Sequence, residues 1–138
     1  MKKYLILFSL FLPFLTYSKE IIQIPDKFFK ILGTIESNNN DLAVGDRGKA
    51  LGRYQIWQIY FKDAQNFDKS LQNIEYKQVT NEIIARQVIN SYMNKYCLNA
   101  VKSGNYEVMV RTHNGGPDGQ NKQITLRYWQ RFKKLLDK

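Results

Sequence analysis

The chain has 138 residues, which is enough for one ordinary domain and too few for two. Hydrophobic residues make up 43% of it and charged residues 24%, a balance normal for a globular protein with an apolar core. The formal net charge of +9 favours an anionic partner, either nucleic acid or an anionic envelope surface, without identifying one.

Residues 1–18 have the pattern of a secretory signal peptide. Two lysines near the start precede an almost wholly apolar run over residues 4–15, and the cut is predicted after Ser18. An uncleaved membrane anchor is the less favoured alternative, because the run is shorter than the roughly 20 residues of a spanning helix and Pro13 interrupts it. We therefore expect a periplasmic or secreted mature protein, residues 19–138, without stable membrane insertion.

Apolar residues at helical spacing predict five helices in the mature chain. Their approximate ranges are 25–37, 54–67, 80–101, 105–112 and 125–136. Thr80 is the predicted cap of the third helix. The predicted apolar faces include Ile56, Trp57, Ile83 and Ile124.

Residues 38–53 show no sustained periodicity and contain three of the eight glycines, so they are predicted to form an irregular insert or a small β-hairpin. Three more glycines lie in residues 115–119, which are predicted to form a tight turn. Each cluster ends a predicted helix. The two could form facing walls of a cleft, or both could be ordinary connecting loops.

Cys97 is the only cysteine, so the chain cannot form an intramolecular disulfide. It lies in an aromatic, apolar stretch and is predicted to be a buried, non-catalytic side chain. One histidine and one cysteine without ligand spacing predict no metal site, and no cofactor is expected.

Glu36 lies at the predicted C-terminal end of the first helix. The carbonyl dipoles at that end disfavour a carboxylate, and partial burial would act in the same direction. A carboxyl group held in its protonated form is what cleavage of a glycosidic bond requires. Asp41 and Asp46 are the nearby carboxylates, in the insert. From these residues alone, an ordinary solvated glutamate is the alternative.

The segment around Glu36 resembles the catalytic segment of the lysozyme superfamily. It contains Glu36-Ser37-Asn38, Ala43-Val44-Gly45-Asp46 and Ala50-Leu51-Gly52-Arg53-Tyr54-Gln55-Ile56. The Glu-Ser pair and the Gly-x-x-Gln-Ile element are similar to those of lytic transglycosylases.

The second half of the chain resembles invertebrate-type (destabilase-like) lysozymes and their bacterial relatives. The motifs that carry this resemblance lie at residues 92–96, at residues 111–119 and at Tyr128-Trp129. Animal members of that type are dense in disulfides, so their disulfide scaffold does not carry over to a chain whose only cysteine is Cys97.

The resemblance implies a mainly α, lysozyme-like helical domain over residues 19–138, with a small irregular or β-hairpin insert after the first helix. It implies a peptidoglycan-cleaving muramidase that acts on the β-1,4 bond between N-acetylmuramic acid and N-acetylglucosamine. Glu36 would be the general acid and Asp46 the second catalytic carboxylate. The implied substrate-binding residues are Ser37, Tyr54, Gln55, His113, Asn114 and Gly115.

The implied partners are peptidoglycan glycan strands and a proteinaceous lysozyme inhibitor, and not nucleic acid. Two alternatives stay open. A lytic transglycosylase would give 1,6-anhydro products and could serve an envelope-spanning secretion machine. A catalytically silent lysozyme-like module would bind the glycan without cutting it.

Overall fold

The computed structural model describes residues 20–138, so the predicted signal peptide and its cut lie outside the described residues. In the described part, six α-helices and a three-stranded antiparallel sheet enclose one aromatic-rich core. The predicted fold class is therefore confirmed. The helices are α1 (Asp26–Ser37), α2 (Gln58–Phe67), α3 (Glu82–Tyr96), α4 (Leu98–Ser103), α5 (Tyr106–Gly115) and α6 (Leu126–Leu136).

Helix α1 has the bounds that its local signals predict, to within one residue. It begins directly after Pro25, whose extended backbone serves as the N-cap. It ends at Ser37, because Asn38 adopts a left-handed backbone (φ 55°) and returns its N–H to the carbonyl groups of the last turn. Glu36 therefore lies in the final turn of a helix that buries one face, and its side chain leaves the helix beside the insert.

The insert is a small sheet in the order β1 (Val44–Gly45), β2 (Ala50–Leu51) and β3 (Ile56–Trp57), with both pairs antiparallel. The prediction that residues 54–57 begin a helix is wrong. Gln55 has a left-handed backbone (φ 49°), which a helix cannot include, and Trp57 is extended as the N-cap of α2. The helix consequently begins at Gln58.

Helix α3 is capped by Asn81 and not by Thr80, because the Asn81 carboxamide oxygen accepts two N–H groups of the first turn. Thr80 instead closes a 3₁₀ turn. The predicted long helix to residue 101 is divided at Cys97, where the backbone leaves the helical region (φ −143°). The apolar periodicity continues on both sides of Cys97, so the sequence pattern does not indicate the break.

Three predicted apolar positions are exposed, and one of them is Trp57, which is 42% exposed at the end of β3. Ile83 is 78% exposed because it lies in the first turn of α3, beyond the core-facing stripe. Ile124 is 79% exposed because it precedes α6 in a 3₁₀ turn, where the helical spacing does not apply. Helix α5 runs three residues further than predicted, so Gly115 is its last residue and the glycine turn follows at Gly116.

No helix within residues 20–138 has both the length and the apolar character needed to cross a membrane. In the same part of the chain, no group of three or more histidine, cysteine, aspartate or glutamate side chains is placed to bind a metal ion.

The burial of Cys97 is confirmed, since only 9% of the residue is exposed. Burial raises the pKa of its thiol to about 11. The reactive thiolate should therefore be scarce below pH 9 in the folded protein. We expect an aromatic disulfide reagent at pH 8 to modify the native protein at least about 100-fold more slowly than the denatured protein. Equal rates, with circular dichroism showing the native sample folded, would contradict this burial.

Candidate active site

A pocket of about 350 Å³ lies where α1, the sheet, α2, α3 and the end of α5 meet. The insert and the glycine turn after α5 both contribute to its wall, as expected for the two sides of a cleft. The lining residues are Glu36, Asp46, Gln55, Trp57, Ile59, Tyr60, Asp63, Tyr92, His113, Asn114, Gly116 and Pro117.

The Glu36 side chain is 15% exposed, and side chains of two other helices contact it. The Tyr128 hydroxyl, from α6, donates a hydrogen bond to Glu36 Oε1. His113 Nε2, from α5, lies 3.3 Å from the same oxygen. Within residues 20–138, Glu36 Oε2 has no hydrogen-bond or ion-pair partner in the protein. The carboxyl group therefore has one engaged oxygen and one free oxygen.

His113 is almost fully buried, and its ring bonds define its tautomer. Nε2 lies 3.0 Å from the carbonyl oxygen of Tyr54, which can only accept, so Nε2 carries the proton. Nδ1 lies 3.3 Å from the Tyr60 hydroxyl. Burial raises the pKa of Tyr60 well above its ordinary value, so this hydroxyl keeps its proton and donates to Nδ1. The imidazole is thereby fixed with its Nε2–H on the Tyr54 carbonyl oxygen, and Glu36 Oε1 lies 3.3 Å from the same nitrogen.

Asp46 lines the same pocket and lies on the 3₁₀ turn between β1 and β2. The Trp57 indole N–H donates to Asp46 Oδ2 over 3.0 Å, and Lys49 lies 5.8 Å from the centroid of that indole ring. The bond connects the turn to β3. Trp57 is 42% exposed, so an aromatic face stands next to the carboxylate and is open to a ligand.

Two pocket residues hold strained backbone conformations. Asp46 (φ 47°) and Gln55 (φ 49°) are both left-handed although neither is glycine. Such residues persist where their surroundings define them, and they concentrate at functional sites. Gly45 leaves room for the Gln55 side chain, since a Cβ at position 45 would lie 1.9 Å from the Gln55 carboxamide oxygen.

Three of the sequence-predicted site residues do not reach the pocket wall. The Tyr54 side chain is fully buried in the core, where its hydroxyl contacts Glu82 and Arg86. Contrary to the expectation, it therefore does not line the groove. The Ser37 hydroxyl donates a hydrogen bond to the Arg53 carbonyl oxygen and accepts one from the Asn40 N–H.

The hydrogen bonds of Ser37 connect the end of α1 to the insert, and Ser37 does not line the pocket. Gly115 is the last residue of α5, and its carbonyl group accepts from Lys122. Gln55, His113 and Asn114 line the pocket as expected.

The two carboxylates of the insert have different surroundings. Asp41 pairs with Arg53 at 2.7 Å, and the hydrogen bond from that guanidinium lowers the pKa of the Asp41 carboxyl. Asp41 lies outside the pocket lining. Arg53 also approaches Glu82 at 3.4 Å, which connects the insert to α3. Asp46 is therefore the carboxylate of the insert that shares the pocket with Glu36.

The sequence did not predict that two stacked tyrosines line the pocket, nor that a residue of α6 contacts Glu36. Tyr60 stacks on Tyr92 with ring centroids 3.5 Å apart, and both line the pocket. Their helical spacing only indicated a core. Asp63 closes the same side and pairs with Lys95 at 3.3 Å. Tyr128 was part of a motif, but its contact with Glu36 spans 92 residues and leaves no local signal.

Comparison with known proteins identifies related sequences and structures. The family described as Destabilase matches residues 26–135. The chain is 36% identical over 90 residues to invertebrate-type lysozyme 6 of Caenorhabditis elegans, an alignment that spans 61% of this chain and 65% of that protein. Across four curated relatives, the chain spans between 56% and 65% of their length.

Solved structures match the fold. The lysozyme of Tapes japonica aligns with a TM-score of 0.67 at 27% identity, covering 80% of this chain and 89% of that one. The Meretrix lusoria lysozyme, solved in complex with Aeromonas hydrophila PliI, aligns with a TM-score of 0.66 at 24% identity and the same coverage.

Proposed function

The chain belongs to the Destabilase family, and from this premise we propose that it is a muramidase that cleaves the glycan strands of peptidoglycan, with Glu36 as the general acid. The bond cut is the β-1,4 bond between N-acetylmuramic acid and N-acetylglucosamine. The observation that carries the proposal is the Glu36 carboxyl group, enclosed beside the pocket with one oxygen engaged and the other free.

The remaining groups of the pocket suit a glycan. Trp57 and Ile59 offer exposed apolar surface on which a sugar ring can pack. Gln55 and Asn114 provide amide groups that can bond hydroxyl and acetamido groups. An elongated polar ligand with flat apolar faces matches this combination, and a glycan strand has that chemistry.

The reaction follows from the two carboxyl groups. Glu36 gives its proton to the bridging oxygen as the glycosidic bond breaks. Asp46, on the insert, stabilises the positive charge that develops at the sugar carbon or bonds to that carbon directly. Water then completes the cleavage, returns a proton to Glu36 and leaves a product with a reducing end.

Digestion of purified peptidoglycan, with the products weighed by mass spectrometry, tests this function. We expect soluble muropeptides with reducing ends. In the lytic transglycosylase alternative, the muramoyl C6 hydroxyl attacks instead and each product is lighter by one water. Binding of peptidoglycan without soluble products would support the silent glycan-binding module and contradict the enzyme.

Asp46→Asn is expected to lower kcat about 10²–10³-fold, because the amide cannot carry the charge that stabilises the transition state. Asp41→Asn is the matched control, since it removes a carboxylate of the same insert outside the pocket, and it should stay within about threefold of the wild type. Release of soluble fragments measures both variants. An Asp46→Asn variant with unchanged kcat would remove Asp46 from the mechanism and favour the anhydro route.

The proposal places the protein outside the cytoplasm, because its substrate is there and residues 1–18 have the pattern of a signal peptide. A proteinaceous inhibitor is the proposed macromolecular partner, since a related lysozyme fold has been solved with one bound. Nucleic acid has no place in this proposal, which draws on the net positive charge only for attraction to an anionic envelope.

A further inference from the structure

We propose that helix α6 positions the general acid, with Tyr128 fixing the orientation of the Glu36 carboxyl group and Arg131 supporting it. This proposal rests on the proposed function, because it concerns how the acid of that reaction is held. Neither residue lines the pocket, so both would act through Glu36 and not through the substrate.

Tyr128 contacts Glu36 without lining the pocket. It is 8% exposed, and its hydroxyl donates to Glu36 Oε1. Burial raises the pKa of Tyr128 well above its ordinary value, and the neighbouring Glu36 carboxyl acts in the same direction. The phenol therefore stays a neutral donor across the working pH range.

The Tyr128 hydroxyl determines which Glu36 oxygen delivers the proton. Because Tyr128 O–H donates to Oε1, a carboxylic acid proton on Oε1 would face the hydroxyl proton. The proton therefore belongs on Oε2, which has no partner within residues 20–138. After transfer, the same Tyr128 hydroxyl stabilises the carboxylate without any rotation of the side chain.

Arg131 holds the backbone next to the acid. Its Nη2 donates to the carbonyl oxygen of Ile35 over 2.7 Å, at the end of α1 where carbonyl groups lack helical partners. Its guanidinium carbon lies 6.0 Å from the centroid of the Tyr128 ring. A spacing of three residues puts both side chains on one side of α6, so a single helix contacts two successive residues of α1.

The attachment of α6 makes this contact rigid. One turn after Tyr128, Phe132 is fully buried and packs on Phe28 of α1 with ring centroids 5.4 Å apart. A donor on a packed helix holds its acceptor more narrowly than a donor on a loop does. Proton transfer depends steeply on that geometry, whereas binding of the glycan does not.

Steady-state kinetics on soluble peptidoglycan fragments test the proposal. Tyr128→Phe should lower kcat about 10- to 100-fold with KM within about threefold, because it removes one hydrogen bond to the group that transfers the proton. Arg131→Gln, at an exposed position, should lower kcat about three- to tenfold, again with little change in KM. Tyr106→Phe is the matched control, since Tyr106 also packs on Phe132 without contacting Glu36.

The outcomes distinguish a failure of the proposed function from a failure of the positioning role of Tyr128. A wild type that does not cleave the fragments overturns the proposed function and this inference with it. A cleaving wild type whose kcat survives in Tyr128→Phe overturns the positioning role alone. A loss that appears mainly in KM, or that Tyr106→Phe reproduces, assigns Tyr128 to substrate contact or to stability, and thermal unfolding of each variant identifies the latter.

Discussion

Glu36→Gln is expected to lower kcat by about 10²–10⁴-fold while leaving the fold and glycan binding intact. Glutamine fills the same volume, and its carboxamide oxygen can still accept a hydrogen bond from Tyr128. What it lacks is a proton that can pass to the bridging oxygen. Initial rates of fragment release measure the loss, and calorimetric titration with soluble glycan should show little change in Kd.

The matched control for this variant is Glu107→Gln. Glu107 pairs with Arg111 one turn along α5 and lies outside the pocket lining. The variant makes the same replacement of a carboxyl group by a carboxamide, so kcat should stay within about twofold of the wild type, and stability should change by no more than about 1 kcal/mol. A Glu36→Gln variant that cleaves like the wild type, beside an intact control, would remove Glu36 from the chemistry.

The parts of this site that the sequence predicts are those with local causes. Pro25 and Asn38 delimit α1 through their own backbone preferences, so the position of Glu36 at the helix end could be predicted. The glycines of the two loops likewise indicated that these loops could form walls of a cleft. Asp46 and His113 came from motifs, which place residues in order along the chain without showing what each one touches.

The parts that could not be predicted depend on contacts between distant residues. Tyr54 and Gln55 are neighbours in one motif, yet the left-handed backbone of Gln55 sends the first side chain into the core and the second into the pocket. Their shared motif cannot show that divergence. The Tyr128 contact with Glu36 needs α6 to pack on α1, and only the tertiary fold brings these helices together.

Phe28→Ala is expected to have the largest effect on stability. The Phe28 ring is fully buried between α1 and α6, with Phe29, Tyr106 and Phe132 around it at centroid distances of 5.4–5.7 Å. Truncation to alanine in such a core costs about 3–5 kcal/mol, since the cavity cannot collapse on three fixed rings. For a domain of this size, that corresponds to a fall in Tm of roughly 10–20 °C.

Ile83→Ala is the control for the size of the truncation, because Ile83 is 78% exposed and should change the free energy of unfolding by at most about 0.5 kcal/mol. Chemical denaturation measures both variants, and equal midpoints would contradict the packing described for Phe28.

The same two variants also test how Glu36 is positioned. If α6 holds Glu36 in place, Phe28→Ala should lose kcat at temperatures where it is still fully folded, because the helix that carries Tyr128 is then less firmly attached. Ile83→Ala should keep its kcat under the same conditions.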